Sequence, residues 1–306
     1  MSSEVETLPP LEARLRVLLP ETYDVFDDDV RPVSMGSAGL KFGSDGKVLW
    51  DGMWGSFCDL AMAGGPPHKG TLLEPCCHPP ADAQASSYAE VAAEISRGIL
   101  LVTGLYANPS PMPGWLRMYC PSAAMAGWLM RAIVMENVSA SAHGLVLHLP
   151  ICSDFRLEKE IKNVITAVAK TCHFWQDHMD YAKQQEIGDL LATMEREAPL
   201  VQPAFPQPAG LAESGALALA VAREVQQATG LAHSTKQYAG WLGFDCQEIG
   251  AAIWMMRALV ASNLLSRREG TDVFVPINPA SDPGGQRSVH AVIQAHHLAV
   301  AGQIFR

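Results

Sequence analysis

The sequence predicts an α+β fold, mainly α, organised around an internal repeat, and three observations predict it. First, a shift of 126 residues aligns positions 92–151 with 218–277 without gaps and leaves 19 of 60 positions identical. Chance at ordinary composition gives about one identity in fifteen to twenty, so the pairing reads as a duplication. Second, the identities keep register in clusters: Thr103-Gly104-Leu105 with Thr229-Gly230-Leu231, Gly114-Trp115-Leu116 with Gly240-Trp241-Leu242, and Met130-Arg131-Ala132 with Met256-Arg257-Ala258. Third, each copy passes from helical apolar spacing to a short two-strand pattern that turns at a glycine, Gly144 or Gly270, and ends at Pro150 or Pro276.

Taken in order, residues 1–87 form a small irregular α/β segment. Leu11, Leu15 and Leu18 are spaced as on one helix face, and Gly43-Ser44-Asp45-Gly46 between two apolar runs predicts a hairpin. A helix is expected over 54–62, ended by Gly64-Gly65-Pro66-Pro67. The first repeat with a long helix occupies 88–198, a proline-rich linker 199–210, and the second repeat with a C-terminal helix 211–306. Within the copies the reading is a first helix over 88–102 and 215–228, closed by the Thr-Gly-Leu glycine. A short second helix is expected around 113–118 and 236–244, a third over 122–136 and 247–262, and a ribbon over 139–149 and 265–275. Asp245 with Glu248 suggests a capping box at the third helix of copy two. A single helix is expected from 157 to about 195, and a last one over 289–304.

This order of three helices and a β ribbon resembles the winged-helix fold, a helix-turn-helix variant, in tandem. The resemblance covers about 60 residues twice and matches no particular family. A winged helix implies DNA binding through its third helix. The positions that would face DNA, Pro121, Ser122, Ala123 and Gly127, then Gln247, Glu248, Gly250 and Ala251, form no base-reading set. Arg267 and Arg268 are the only compact basic pair in the repeats, and the net charge is −10. An acidic body of this kind is repelled by a duplex, so nucleic acid is an unfavoured partner.

At 48% hydrophobic and 18% charged residues, the composition is that of a globular protein. No stretch has the apolar length of a membrane span, and the N-terminus carries acids early without a basic-then-apolar signal, so a cytoplasmic protein is expected. Seven cysteines without a small-scaffold spacing suggest reduced thiols.

The candidate chemistry lies in three places. The first is a cluster of Cys58, His68, Cys76, Cys77 and His78, whose thiolate and imidazole groups are the donors that zinc and other transition metals prefer; Cys76 and Cys77 are also candidate nucleophiles. Its spacing has no C-x-x-C and fits no standard zinc pattern. The second is the Gly64, Gly65, His68 and Lys69 loop, where close backbone approach and a cation could cradle an anion, although the Walker order is absent. The third is the repeated pair Cys120 and Cys246, each following Trp115 or Trp241 by five residues and placed where a helix N-terminus would favour a thiolate. Against it stands the reading of both cysteines as small buried residues closing a turn. His173 and His178, five apart on one helix, lack the i, i+4 geometry for sharing a metal. The expectation is a small-molecule-, metal- or cofactor-handling protein, with an enzyme and a homodimer both compatible, and an interaction protein or transcriptional regulator as the alternative.

Overall fold

The computed structural model describes residues 9–18, 39–52, 70–76, 84–205 and 212–302. The helix expected over 54–62 lies outside them. The chain is α+β, with two antiparallel four-stranded sheets among helices. In the first unit, helix α2 (Ser86–Thr103) leads to β1 (Ala107–Pro109) and β2 (Trp115–Tyr119), then α3 (Ala123–Met135), β3 (Ser141–His143) and β4 (Val146–Pro150). The second unit runs α6 (Ala212–Thr229), β5 (Ala232–His233), β6 (Trp241–Asp245), α7 (Ile249–Ala261), β7 (Arg267–Glu269) and β8 (Asp272–Pro276). The sheets share one order, β1-β2-β4-β3 and β5-β6-β8-β7. They also share one register: Trp115 faces Pro150 and Leu116 faces Leu149, as Trp241 faces Pro276 and Leu242 faces Val275.

The short second helices expected around 113–118 and 236–244 are not formed; both places hold strands. Neither unit therefore has the helix-turn-helix pair of a winged helix, and the expected two-strand ribbons are halves of larger sheets. The physical reason lies in the two faces of β2. Leu116 and Met118 point into the core with no exposure, while Trp115 on the opposite face is also buried. With Trp115 buried on the outer face, β2 opens on two apolar residues instead of an alternation, and five residues cannot establish a period.

Helices α3 and α7 are core elements. Met125, Ala126 and 128–134 are buried in one, Ala251, Ala252 and 255–261 in the other, so neither presents a face to a groove of DNA. The N-cap of α3 is Ser122, whose side chain accepts from Met125 N–H; α7 is capped at Glu248 without a side-chain bond, because Asp245 turns to accept from Gln247 N–H instead of forming a capping box. Downstream of the first sheet, the single helix expected to about residue 195 is two: a π turn (Leu157–Ile161) leads into α4 (Lys162–Asp177), and α5 (Tyr181–Glu197) restarts at Asp180, whose carboxylate accepts from Lys183 N–H. Helix α4 packs on α2 and α3, and α5 on α3; α1 (Pro9–Leu18) packs on α5 and α7, and α8 (Gln286–Ala301) on α6 and α7. The 39–50 hairpin forms, with Phe42 bridged to Val48 and Gly46 at φ 74°.

Two extended segments lace the units together. Leu73 N–H donates to Asn137 O and Ser139 N–H to Leu73 O; in the same pattern Val201 N–H donates to Asn263 O and Leu265 N–H to Val201 O. The stretch expected as a proline-rich linker is thus built into the fold at Val201, which has no exposure. Each segment bonds along one unit and covers the sheet of the other: Phe205 lies on Trp115 and His148 of the first sheet, and Leu72 N–H donates to Glu269 of the second. Asn137 and Asn263, both at left-handed φ near 60° (58° and 61°), are held across the interface. Asn137 accepts from Arg267 and donates to Arg268 O, and Asn263 accepts from Arg131.

Candidate functional site

The described residues converge most densely on the outer face of the second sheet. Residues 267 and 274 oppose each other across β7 and β8, and Trp241 lies on the neighbouring β6, so all three side chains share the face away from Leu242 and Val273. Gly243 between them leaves room for the ring of Phe274, because a Cβ there would lie 2.7 Å from it. The guanidinium of Arg267 fills the centre. Its Cζ is 4.1 Å from the Phe274 ring centroid, 4.3 Å from Tyr238 and 5.1 Å from Trp241. Nη1 donates to Glu269 Oε1 at 2.6 Å and to Asn137 Oδ1 at 3.1 Å. Glu269 is used fully: Oε1 also accepts from Leu72 N–H and Oε2 from the Tyr238 hydroxyl. Lys236 closes the outer side, donating to Glu269 O and pairing with Asp272 at 2.7 Å.

One edge of Arg267 is left over. The side chain has no exposure, yet Nε and Nη2 have no hydrogen-bond partner. These two N–H groups point the same way and form the fork that grips a carboxylate or phosphate through two parallel bonds. Burial pulls the Arg267 pKa down while Glu269 pushes it back up. Glu74, on the covering segment, has its carboxyl pKa raised by burial; Arg267 opposes that shift and Glu269 reinforces it. A carboxyl whose folded pKa lies above its unfolded value binds protons more readily in the folded state, so it weakens the fold as pH rises above about 4.5. Glu74→Gln is expected to raise the melting temperature more at pH 8 than at pH 4; an equal gain at both would contradict this environment for Glu74.

The sequence-derived candidates fare unequally. Cys58, Gly64, Gly65, His68, Lys69, Cys77 and His78 lie outside the described residues. Cys76 is buried, with its N–H donating to Ile151 O. Among the described residues no group of three or more His, Cys, Asp or Glu could hold a metal ion. Cys120 and Cys246 precede their helices by three residues, and their N–H groups bond to Leu145 O and Thr271 O at the ribbon turns. Burial pushes both thiols up to about 12, the opposite of the thiolate-stabilising site expected from a helix terminus. They close the turns that lead into α3 and α7. Iodoacetamide at pH 8 is expected to modify Cys120, Cys172 and Cys246 at least 100-fold more slowly in the native protein than in urea, read by peptide mass spectrometry. Fast native labelling of Cys120 or Cys246 would restore the reactive-thiol reading.

Trp115 and Trp241 do sit at equivalent sites. Trp115 meets Phe205 edge-on at 4.8 Å, beside a first-sheet face made of Arg117, Ser141, His143 and His148. There His148 Nδ1 and Arg117 Nε are buried without partners, and burial lowers the His148 pKa. Arg267 and Arg268, the expected exposed basic pair, are buried at 0% and 5% exposure and unavailable to a phosphate backbone. Sequence reasoning named Arg267 only as half of a basic pair, and missed Glu269, Tyr238 and Glu74. A signal existed: the inward positions of β2 and β4 stay apolar in both copies, Leu116, Met118, Leu147 and Leu149 against Leu242, Phe244, Val273 and Val275, while Ser141, His143 and His148 on the outer face become Arg267, Glu269 and Phe274. A separate cavity of about 280 Å³ is lined by Leu11, Arg14, Ser262, Leu264, Arg287 and His290, among others. Its arginines are engaged, Arg14 by Glu197 and Arg287 by Pro199 O and Ser281 O. No helix among the described residues is long and apolar enough to cross a membrane. No family model, curated protein or solved structure matches the chain.

Proposed function

We propose that the protein binds a small organic anion, and that the outer face of the second sheet is its binding site. The single observation that carries this reading is the buried, unpartnered Nε–Nη2 edge of Arg267. A buried donor without a partner forfeits its hydration, typically at 1–3 kcal/mol and more for a charged group. A carboxylate placed on that edge would recover both bonds and offset the buried charge. The aromatic surround of Tyr238, Trp241 and Phe274 favours a ligand with an apolar body behind its acid group. Glu74, already close enough to feel the Arg267 charge, lies on the segment that must shift for a ligand to enter. The first-sheet face under Phe205, with its own unpartnered Arg117 and His148 atoms, is the counterpart expected if the two units descend from one duplicated ancestor. The common order and register of the sheets support that descent.

The test is a thermal-shift titration of the full chain with benzoate, acetate and inorganic phosphate, on wild type and Arg267→Lys. Lysine keeps the charge but not the planar fork. Binding at a hundredfold excess over Kd adds about 2.7 kcal/mol to stability. The expected result is stabilisation by benzoate above acetate in wild type, reduced at least tenfold in apparent affinity in Arg267→Lys. Equal stabilisation of both proteins, or none of either by any of the three anions, would overturn the assignment.

A further inference from the structure

We propose that His173 and His178 form a second, independent site, one that binds a divalent transition-metal ion with Asp177 as the positioning carboxylate. On a continuous helix the two side chains, five residues apart, would diverge. Helix α4 ends at Asp177, however, and His178 is its C-cap at φ −112° and ψ −5°. That turn brings its ring back across the helix end, so that the two Nε2 atoms stand 2.9 Å apart. The ring planes are 83° apart, with centroids at 4.6 Å.

The turn is fixed by its surroundings. His178 N–H donates to Phe174 O, Met179 is buried at 5%, and Asp180 caps α5. Gln184 reaches back to donate to both Trp175 O and Met179 O. The backbone carrying His178 is therefore held on both sides while its side chain stays in solvent. Asp177 Oδ2 lies 2.6 Å from His173 Nδ1. A carboxylate on Nδ1 keeps the proton there, which leaves the Nε2 lone pair directed at His178. This carboxylate–imidazole pairing is how metal-binding histidines are oriented.

The separation is also one that a single ion could span. With metal–nitrogen bonds of about 2.05 Å, two tetrahedral positions lie about 3.4 Å apart, whereas two cis positions at about 90° lie about 2.9 Å apart. The observed distance matches the cis arrangement, which Cu²⁺ and Ni²⁺ adopt more readily than Zn²⁺. On binding, the proton shared between the two Nε2 atoms leaves Nε2 and passes to His178 Nδ1, so that both nitrogens donate lone pairs to the ion; water fills the remaining positions. The site uses no residue of the Arg267 cluster and stands or falls apart from it.

The experiment is a Cu²⁺ titration of the full chain, followed by calorimetry and by the nitrogen splitting in the electron paramagnetic resonance spectrum. Wild type, His178→Ala, His173→Ala/His178→Ala and Asp177→Asn are compared, with circular dichroism confirming an unchanged fold in His178→Ala. We expect one equivalent in wild type with splitting from two imidazole nitrogens. His178→Ala should lose that two-nitrogen pattern and bind at least tenfold more weakly, and Asp177→Asn should weaken binding about 10–100-fold while keeping the pattern. The same affinity and splitting in wild type and His178→Ala, or no binding to wild type, would overturn the site. Unchanged affinity in Asp177→Asn would overturn the role given to that carboxylate.

Discussion

Lys170→Met is expected to destabilise the protein by about 3–5 kcal/mol, because it takes the close cation away from a buried carboxylate. Lys170 Nζ lies 2.9 Å from Glu136 Oε1, and the two side chains are 1% and 3% exposed. Glu136 is the C-cap of α3 and Lys170 sits in the middle of α4, so the pair ties the central helix of the first unit to the helix that covers it. Removing the cation takes away the 2.9 Å partner of Glu136 Oε1 and leaves the carboxylate to the more distant charge of Arg268. Removing both charges, in Glu136→Gln/Lys170→Met, is expected to recover most of the loss, since a buried pair is close to balanced against neutral replacements. Urea unfolding of the two single variants and the double variant measures the coupling. A single variant within 1 kcal/mol of wild type would mean that water reaches this pair.

Arg267→Met is expected to lose a similar amount, about 3–5 kcal/mol, for a related reason and one addition. Glu269 would keep its bonds from Leu72 and Tyr238 but lose its only buried cation, and the three rings around the guanidinium would lose a charged partner. Adding Glu269→Gln should restore a large part of the loss. The contrast between the two pairs is informative: Lys170 places its charge on one carboxylate, whereas Arg267 bonds through Nη1 and leaves Nε and Nη2 unpartnered. Arg131 and Arg268 leave only Nε without a partner, whereas Arg267 leaves two adjacent donors that together make a fork. If Arg267→Met were neutral, the cluster would be neither structural nor a held binding group.

Much of the architecture is legible in the residues. The shift of 126 locates the first and third helices and the ribbon of each unit to within a few positions, because helix periodicity and the glycines at 104, 144, 230 and 270 depend on local chemistry. What escapes is what is too short to show a period or depends on a third layer. Strands β2 and β6 read as short helices because five residues are too few to establish a period and each opens with two apolar residues, Trp115-Leu116 and Trp241-Leu242. Arg267 and Arg268 read as a solvent-facing basic pair, whereas the 70–76 segment turns that face into an interior. The break after α4 carried a local signal, Asp180 as an N-cap, hidden within an apolar stripe that runs on through Met179. With the break overlooked, His173 and His178 looked too far apart to meet. The site candidates drawn from cysteine and histidine composition rest mainly on 58–78, of which only 70–76 is described, and the one member there, Cys76, packs as core.

The most direct measurement of the central claim is the ¹H–¹⁵N signal of the Arg267 Nε–H group during titration with benzoate, assigned by its absence in Arg267→Lys. A carboxylate bonded to the Nε–Nη2 edge is predicted to move that signal downfield, saturably, and to slow its exchange with water. An Arg267 Nε–H signal that stays in place, while benzoate binds or fails to bind elsewhere, would contradict the assignment of this edge as an anion site.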